Sequence, residues 1–89
     1  RELKQEKTIL RELALIKVHA PDEKTKSEII QYAEIFRGHI IDVTPTTLTI
    51  SINGDPEKIK ALTKLLKPFG IKETAKTGVT AITRGANPL

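Results

Sequence analysis

The sequence predicts an α+β domain in which two helices pack on one face of a four-stranded antiparallel sheet. Four segments alternate apolar and polar residues, as strands do, and two segments repeat apolar residues at helical spacing. Their order along the chain is strand, helix, strand, strand, helix, strand. The 89 residues are enough for one domain with a modest core, so association with a partner is a reasonable expectation.

The composition excludes several kinds of site. There is no cysteine, which rules out disulfides, thiolate metal sites and a cysteine nucleophile. No apolar run approaches the roughly 18 residues of a membrane span, and we expect no leader sequence, since the first residues lack a charged segment followed by an apolar one. We therefore expect a cytoplasmic protein with no membrane partner, or a plastid or mitochondrial one in a eukaryote. The net charge is +4, but basic and acidic residues alternate closely, which is typical of a solvated surface.

The first strand is predicted over residues 9–20, between a polar tail or linker at residues 1–8 and the rest of the domain. One face of this strand carries Glu12, Ala14, Ile16 and Val18. The other face carries Leu13, Leu15, Lys17 and His19. Because both faces contain apolar residues, the strand should lie centrally in the sheet, with helices on one side and a partner on the other.

A helix is predicted to follow and to end near Phe36. Thr25 and Glu28 have the spacing of a capping box, in which the threonine hydroxyl accepts a hydrogen bond from an exposed amide. The buried stripe of this helix consists of Ile29, Tyr32, Ala33 and Phe36.

The helix is predicted to end at Gly38, because glycine adopts the left-handed conformation without a steric penalty. Arg37 stands just before it, where a positive charge meets the last helical carbonyls. Residues 39–44 and 46–53 then alternate as two strands, which Pro45 joins as a hairpin.

The second helix has a clear start, since Asp55 can cap it and Pro56 occupies the first helical position. Its buried stripe consists of Ile59, Leu62 and Leu66. Pro68 and Gly70 end it. Residues 71–84 are predicted as one long strand interrupted at an interior glycine, or as two short strands.

Two split βαβ units in this order form a ferredoxin-like sandwich, predicted over residues 9–85, with a second tail at 86–89. The sheet face away from the helices has no cover of its own. We expect this face to carry Leu13, Leu15, Ile40 and the threonines of the third strand. Such a mixed surface suits pairing with another domain or a second copy.

Few residues suit catalysis or ligand binding. His19 and His39 fall on strands that the third strand separates, and no spacing supplies further metal ligands. RNA-recognition domains share this strand order and stack bases on aromatic residues of the open sheet face. Here the aromatic residues all fall on or beside the helices: Tyr32, Phe36 and Phe69. The residues therefore indicate a binding or regulatory module.

Residues 34–44 read EIFRGHIIDVT, and segments 11–18 and 77–85 accompany them at fixed spacing. These three segments resemble the C-terminal domain of the small, regulatory subunit of acetolactate synthase (acetohydroxyacid synthase), and the resemblance covers about residues 8 to 85. Lys76 stands where that family often has arginine.

The resemblance implies a noncatalytic partner that binds and activates the large catalytic subunit in the biosynthesis of valine, leucine and isoleucine. In the family, valine inhibits through an N-terminal ACT domain, and no residue of that effector site can be placed in this chain. The thiamine diphosphate, FAD and Mg of the enzyme belong to the large subunit. This chain is therefore expected to contain no catalytic, cofactor-binding or metal-binding residue.

Three charged residues are candidates for subunit contacts: Arg37, Asp42 and Arg84. They lie beside glycine turns or on the predicted edge strand. A homodimer is also expected, with no nucleic acid as partner. Two alternatives remain open at this point, a free-standing ACT-like dimer that senses an amino acid and an RNA-binding module.

Overall fold

The computed structural model of the protein describes residues 8–85, in which two α-helices pack on an antiparallel sheet of five strands. The elements are β1 (Thr8–His19), α1 (Glu23–Ile35), β2 (His39–Val43), β3 (Thr47–Gly54), α2 (Pro56–Leu66), a 3₁₀ turn (Lys67–Phe69), β4 (Ile71–Lys76) and β5 (Thr80–Thr83). The sheet order is β2-β3-β1-β4, and β5 also pairs with β1. The predicted ferredoxin-like α+β fold is confirmed. Of the predicted tails, residues 1–7 and 86–89 lie outside the described residues.

Strand β1 is the centre of the sheet and pairs along both of its edges. One edge pairs with β3, from Glu12 to His19. The other edge pairs with β4 and, nearer the start of β1, with β5. Between these two strands the backbone N–H of Leu13 donates to Thr77 Oγ1 at 3.1 Å. The last strand is therefore interrupted at Thr77 and Gly78, as the interior glycine predicted.

The core lies between the sheet and the two helices, and it contains the inward-facing residues of β1 and β3. These buried residues are Ala14, Ile16, Val18, Ala20, Ile29, Ala33, Leu48, Ile50, Ile52, Ile59, Leu62 and Leu66. Burial of each isoleucine or leucine side chain stabilises the domain by about 1.5–3 kcal/mol. The alternation in β1 and the stripes of both helices correctly predicted this core. Within residues 8–85, neither helix combines the length and the apolar character of a membrane span.

Helix α1 begins one turn earlier than the capping-box pattern predicted. Its N-cap is Asp22, whose Oδ1 accepts a hydrogen bond from the backbone N–H of Thr25 at 2.8 Å. Thr25 therefore lies inside the helix, and the predicted role of its hydroxyl as the cap is wrong. Aspartate and threonine both cap helices well, so the sequence offered two competing starts, and the carboxylate caps here. The predicted start of α2 is confirmed, since Asp55 Oδ1 accepts from the N–H of Lys58 at 2.9 Å.

The cap of α1 should make stability depend on acid pH. The backbone hydrogen bond from Thr25, then the bond to its side chain, lowers the pKa of Asp22 below its usual value, and the charges of Lys26 and Lys24 act in the same direction. A carboxyl whose pKa is lower in the folded state stabilises above its unfolded pKa, about 3.9, and this contribution disappears as the pH falls through the folded pKa.

We expect Asp22→Ala to lower the melting temperature at neutral pH, and the difference from wild type to shrink as the pH falls below about 4. Thermal unfolding followed by circular dichroism between neutral and acid pH measures this. Asp22→Asn is the control, because its amide oxygen can still cap the helix but does not titrate. A gap between Asp22→Ala and wild type that stayed constant with pH would refute the role of the carboxylate.

The junction after α1 differs from the prediction in one respect that matters. The residue in the left-handed conformation is Arg37, with φ of 60°, and not Gly38. The N–H of Arg37 donates to the carbonyl of Glu34 at 3.0 Å, and that of Gly38 donates to the carbonyl of Ala33 at 2.7 Å. This pair of bonds is the Schellman motif, which satisfies the last helical carbonyls.

Gly38 is needed at this junction for a different reason, namely space. A Cβ at this position would lie 3.1 Å from Ile50 Cγ2 and 3.2 Å from the carbonyl oxygen of Ser51. Glycine therefore allows the chain leaving α1 to approach β3 closely. This contact depends on residues that follow a dozen positions later, so the local pattern could not reveal it.

Strand β2 contains a register irregularity that corrects a second prediction. Ile40 pairs with Ile50 and packs against the core, so it does not lie on the open face as expected. The pairing resumes with Asp42 opposite Thr49, and Ile41 is the extra residue between them. Simple alternation would put Ile40 and Asp42 on the same face of the sheet. Because the bulge adds one residue between them, Ile40 faces the core and Asp42 faces the opposite side.

Candidate interaction surface

The sheet face that points away from the helices is uncovered within the described part of the chain, and we call it the outer face. Where β1 and β3 pair, its residues are Leu13, Leu15, Lys17, His19, Thr47, Thr49, Ser51 and Asn53. Leu13 and Leu15 are 38% and 36% exposed. Leu15 lies opposite Ser51 on one side and Ala75 on the other. Apolar and small side chains therefore occupy the middle of this face, where they can pack against a partner.

Charged side chains border this apolar centre. Lys17 lies opposite Glu73, and Lys17 Nζ is 3.1 Å from Glu73 Oε1. Both side chains are partly exposed to water, so the pair adds little stability. Asp42 lies across β3 from Lys17, since both residues pair with Thr49. The row of alternating charge gives the face a polarity that a complementary partner could recognise.

The outer face continues onto the two-stranded ribbon that the start of β1 forms with β5. Ile9 lies opposite Ile82 in this ribbon, and alternation along β1 places Ile9 on the same side as Leu13 and Leu15. Ile82 is 66% exposed. The same alternation places the exposed Arg11 between Ile9 and Leu13, so ribbon and sheet centre form one elongated face on which Arg11 separates two apolar patches.

The ribbon's contribution to this surface was missed from the sequence. The sequence predicts this segment as the end of an interrupted strand or as a second short strand, but it does not predict the pairing with the start of β1. The apolar Ile82, between Ala81 and Thr83, was the signal that could have revealed an apolar position opposite Ile9.

The three predicted contact residues lie on different elements. Arg37 is in the turn after α1, Asp42 is on the edge strand β2, and Arg84 follows β5. Among residues 8–85, no hydrogen bond or ion pair joins the side chains of any two of them. Asp42 alone belongs to the strand rows of the outer face.

Arg84 lies at a shallow cavity beside the N-terminus of α2. The cavity has a volume of about 340 Å³. Its lining consists of Thr8, Leu10, Arg11, Asp55, Pro56, Glu57 and Arg84. Arg84 is thus close to acidic residues at the start of a helix, on the side of β1 that faces away from Leu13 and Leu15.

The two histidines stay apart, as the strand order predicted. His19 lies opposite Thr47 and His39 lies opposite Ser51, which places them about 13 Å apart along β3. In the segment from Thr8 to Gly85, no three histidine, aspartate or glutamate side chains converge as metal ligands.

Comparison with known proteins identifies the family. The family described as the small subunit of acetolactate synthase matches residues 11–85. A probable acetolactate synthase small subunit of Methanothermobacter thermautotrophicus is 54% identical over the whole chain, which covers 53% of that relative. The acetolactate synthase small subunit of Aquifex aeolicus is 54% identical over 83% of this chain and 38% of its own length.

A solved structure agrees with these sequence matches. The crystal structure of an acetolactate synthase small subunit from Thermotoga maritima superposes with a TM-score of 0.85 at 40% identity, over 97% of this chain and 52% of that one. The chain thus spans between 38% and 53% of the length of these relatives. The resemblance carried by residues 34–44 and their companion segments is confirmed, and the chain belongs to the family of acetolactate synthase small subunits.

Proposed function

We propose that this chain is a noncatalytic regulatory domain of acetolactate synthase, and that it binds the large catalytic subunit through its outer face. The observation that supports this most directly is the uncovered apolar centre around Leu13 and Leu15, in a domain of the small-subunit family. Soluble domains rarely leave a contiguous apolar surface of this kind uncovered without an interaction to cover it.

Activation follows if the domain binds the active conformation of the large subunit more tightly than the inactive one. The difference in binding free energy then shifts the population of the large subunit toward the active conformation. In this scheme the apolar centre supplies affinity, while Asp42 and the Lys17–Glu73 pair fix the orientation. Arg37 and Arg84 are proposed as contacts at the margin of the interface.

The proposal also covers the cofactors, the feedback inhibition and the pathway of the enzyme to which this chain belongs. The thiamine diphosphate, FAD and Mg of the reaction lie in the large subunit, which works in the cytoplasm of a prokaryotic cell. Valine inhibits through an ACT domain in the remaining half of the full-length small subunit, and the regulatory assembly contains a homodimer. The pathway served is the biosynthesis of valine, leucine and isoleucine.

Titrating the 89-residue chain into an acetolactate synthase large subunit, with turnover as the readout, tests this proposal. We expect turnover to rise with the chain and to saturate, and valine to leave this stimulation unchanged because its site lies in the other half of the full-length protein. Sedimentation of the mixture should show a complex. If turnover and sedimentation both stayed unchanged up to high micromolar chain, the proposal would fail.

Sedimentation of the chain by itself separates homodimer formation from binding to the large subunit. A dimer that persists in the complex supports both parts of the proposal. A dimer that dissociates when the large subunit binds would contradict the homodimer as part of the regulatory assembly.

A further inference from the structure

A second apolar surface lies on the opposite side of the domain, between the two helices. It is a groove with a volume of about 610 Å³, lined by Tyr32, Ala61, Lys64, Leu65, Pro68 and Phe69. The rings of Tyr32 and Phe69 form its base, with their centroids 6.2 Å apart and their planes tilted by 59°. Leu65 is 41% exposed, although leucine on a small helix normally faces the core.

Lysines follow one side of this groove. From Pro56 to Phe69 the chain carries four lysines and one glutamate. Three of the lysines, at positions 60, 64 and 67, fall on one stripe of α2 and its 3₁₀ extension at helical spacing. This stripe borders the stripe of Ala61, Leu65 and Pro68, so a basic edge runs along the apolar groove.

The edge on α1 has a different character. Ile35 is strongly exposed and lies one turn after Tyr32, while Glu28 lies one turn before it. The α1 edge therefore offers an apolar end and an acidic end, but no row of lysines. A ligand whose acidic groups lie along only one flank would match this arrangement, because that flank would face the lysines of α2 while the other flank faced α1.

We propose that this groove binds an amphipathic helix of a partner protein, with its apolar face on Tyr32, Leu65 and Phe69 and an acidic flank along the lysine stripe. A helix in a groove buries apolar residues at positions i, i+3 or i+4, and i+7. The lysine stripe on one edge, and the single glutamate at one end of the other, select the direction and register of the bound helix. The groove lies on the helical layer, away from the outer face, so it remains free when the outer face is occupied.

The shape of the surface distinguishes this ligand from a membrane. A basic and apolar surface can also bind anionic lipid. Here, however, the apolar residues line a depression between two helices with an aromatic pair at its base, and a lipid surface would meet the two helical edges first. The depression therefore favours a helix.

Fluorescence anisotropy with a labelled synthetic peptide tests the proposal. The probe is an amphipathic helix with leucines at helical spacing, glutamates on one flank and glutamines on the other, and the comparison peptide has lysines in place of the glutamates. We expect the acidic peptide to bind with a dissociation constant of order 10 μM to 100 μM, more weakly at high salt, and at least about tenfold tighter than the basic peptide.

Variants locate the binding site. Lys60→Glu combined with Lys64→Glu should weaken binding of the acidic peptide about tenfold, and Leu65→Asp should weaken it by at least as much. The control combines Lys72→Glu with Lys76→Glu on β4, which changes the net charge equally but lies outside the groove. Melting curves of all variants establish that each is folded at the assay temperature.

Three outcomes would overturn the proposal. One is equal binding of the acidic and basic peptides. Another is equal weakening by the β4 control and by the groove variants, which would indicate attraction to the overall charge. In the third outcome the acidic peptide does not bind, but the chain binds vesicles of mixed phosphatidylcholine and phosphatidylserine. If Leu65→Asp also prevented this vesicle binding, the groove would be assigned to a membrane surface.

Discussion

Replacing Leu15 with glutamate is expected to abolish the stimulation of the acetolactate synthase large subunit by this chain. Leu15 lies in the middle of the outer face, between Ser51 and Ala75, where a bound partner would exclude water. A carboxylate buried there would have no free basic partner, because Lys17, the next residue along the same face, already pairs with Glu73. We expect this to weaken binding by about 3 kcal/mol, or roughly 100-fold. Titration of turnover against concentration of the chain measures the shift.

The matched control for this experiment is Ile30→Glu on α1. Leu15 and Ile30 are both 36% exposed, so the same substitution changes a similar amount of surface. Ile30, however, is on the helical layer, and the control should stimulate the large subunit as wild type does. Both variants should stay folded, because neither residue is part of the buried core. If Ile30→Glu lost stimulation and Leu15→Glu kept it, the outer face would be excluded as the binding surface.

At the junction after α1, Gly38→Ala is expected to destabilise the domain and Arg37→Gly to stabilise it. The added Cβ of alanine would lie 3.1 Å from Ile50 Cγ2 and 3.2 Å from the carbonyl oxygen of Ser51. The carbonyl oxygen belongs to the backbone of β3 and cannot rotate away as a side chain could. The strands β2 and β3 must therefore separate slightly, which lowers the free energy of unfolding by about 1–3 kcal/mol. Arg37→Gly removes the penalty of a left-handed arginine and should stabilise by about 1 kcal/mol.

Urea unfolding followed by circular dichroism measures both free energies. The two variants distinguish the structure from the simple sequence pattern, which placed the left-handed residue at Gly38. If Gly38 held that role, Arg37→Gly would only add flexibility to the unfolded chain and would lower stability. A stabilised Gly38→Ala variant would contradict the close approach to β3.

Local patterns predicted the elements well because their physical causes are local. Alternation along residues 46–53 predicted β3, and Asp55 followed by Pro56 predicted the start of α2, since both depend on neighbouring residues alone. Errors occurred where two local solutions compete. Asp22 and Thr25 can both cap α1, and only the folded chain shows which one does.

Local sequence patterns could not predict the contacts between residues far apart along the chain. Lys26 Nζ donates to the carbonyl oxygens of Ala20 and of Pro45, 6 and 19 residues away, and so ties two loops together at one end of the sandwich. Nothing in the local sequence distinguishes this lysine from those that face water. The bulge that turns Ile40 toward the core is equally dependent on the register of β2 against β3.

The candidate interaction surfaces were likewise predicted only in part from the sequence. The sequence predicted an open face with Leu13 and Leu15, because alternation in a central strand must put half of its apolar residues on the side without helices. It did not predict that Ile9 and Ile82 extend this face. Tyr32 and Phe69 pack against the core, as predicted, but the sequence did not show that they also line the groove on the helical layer.

By itself the sequence determined the order of the elements, the buried stripes of both helices, the start of α2 and the family, since each follows from residues close together along the chain. Only the tertiary structure decided which residue at the Arg37–Gly38 junction is left-handed, which side Ile40 faces, and where apolar residues from distant segments meet. The physical reason is that these features depend on packing between β2, β3 and the helices. Packing constrains backbone and side chains through neighbours in space, and these neighbours are often far apart in sequence, as Gly38 and Ile50 are.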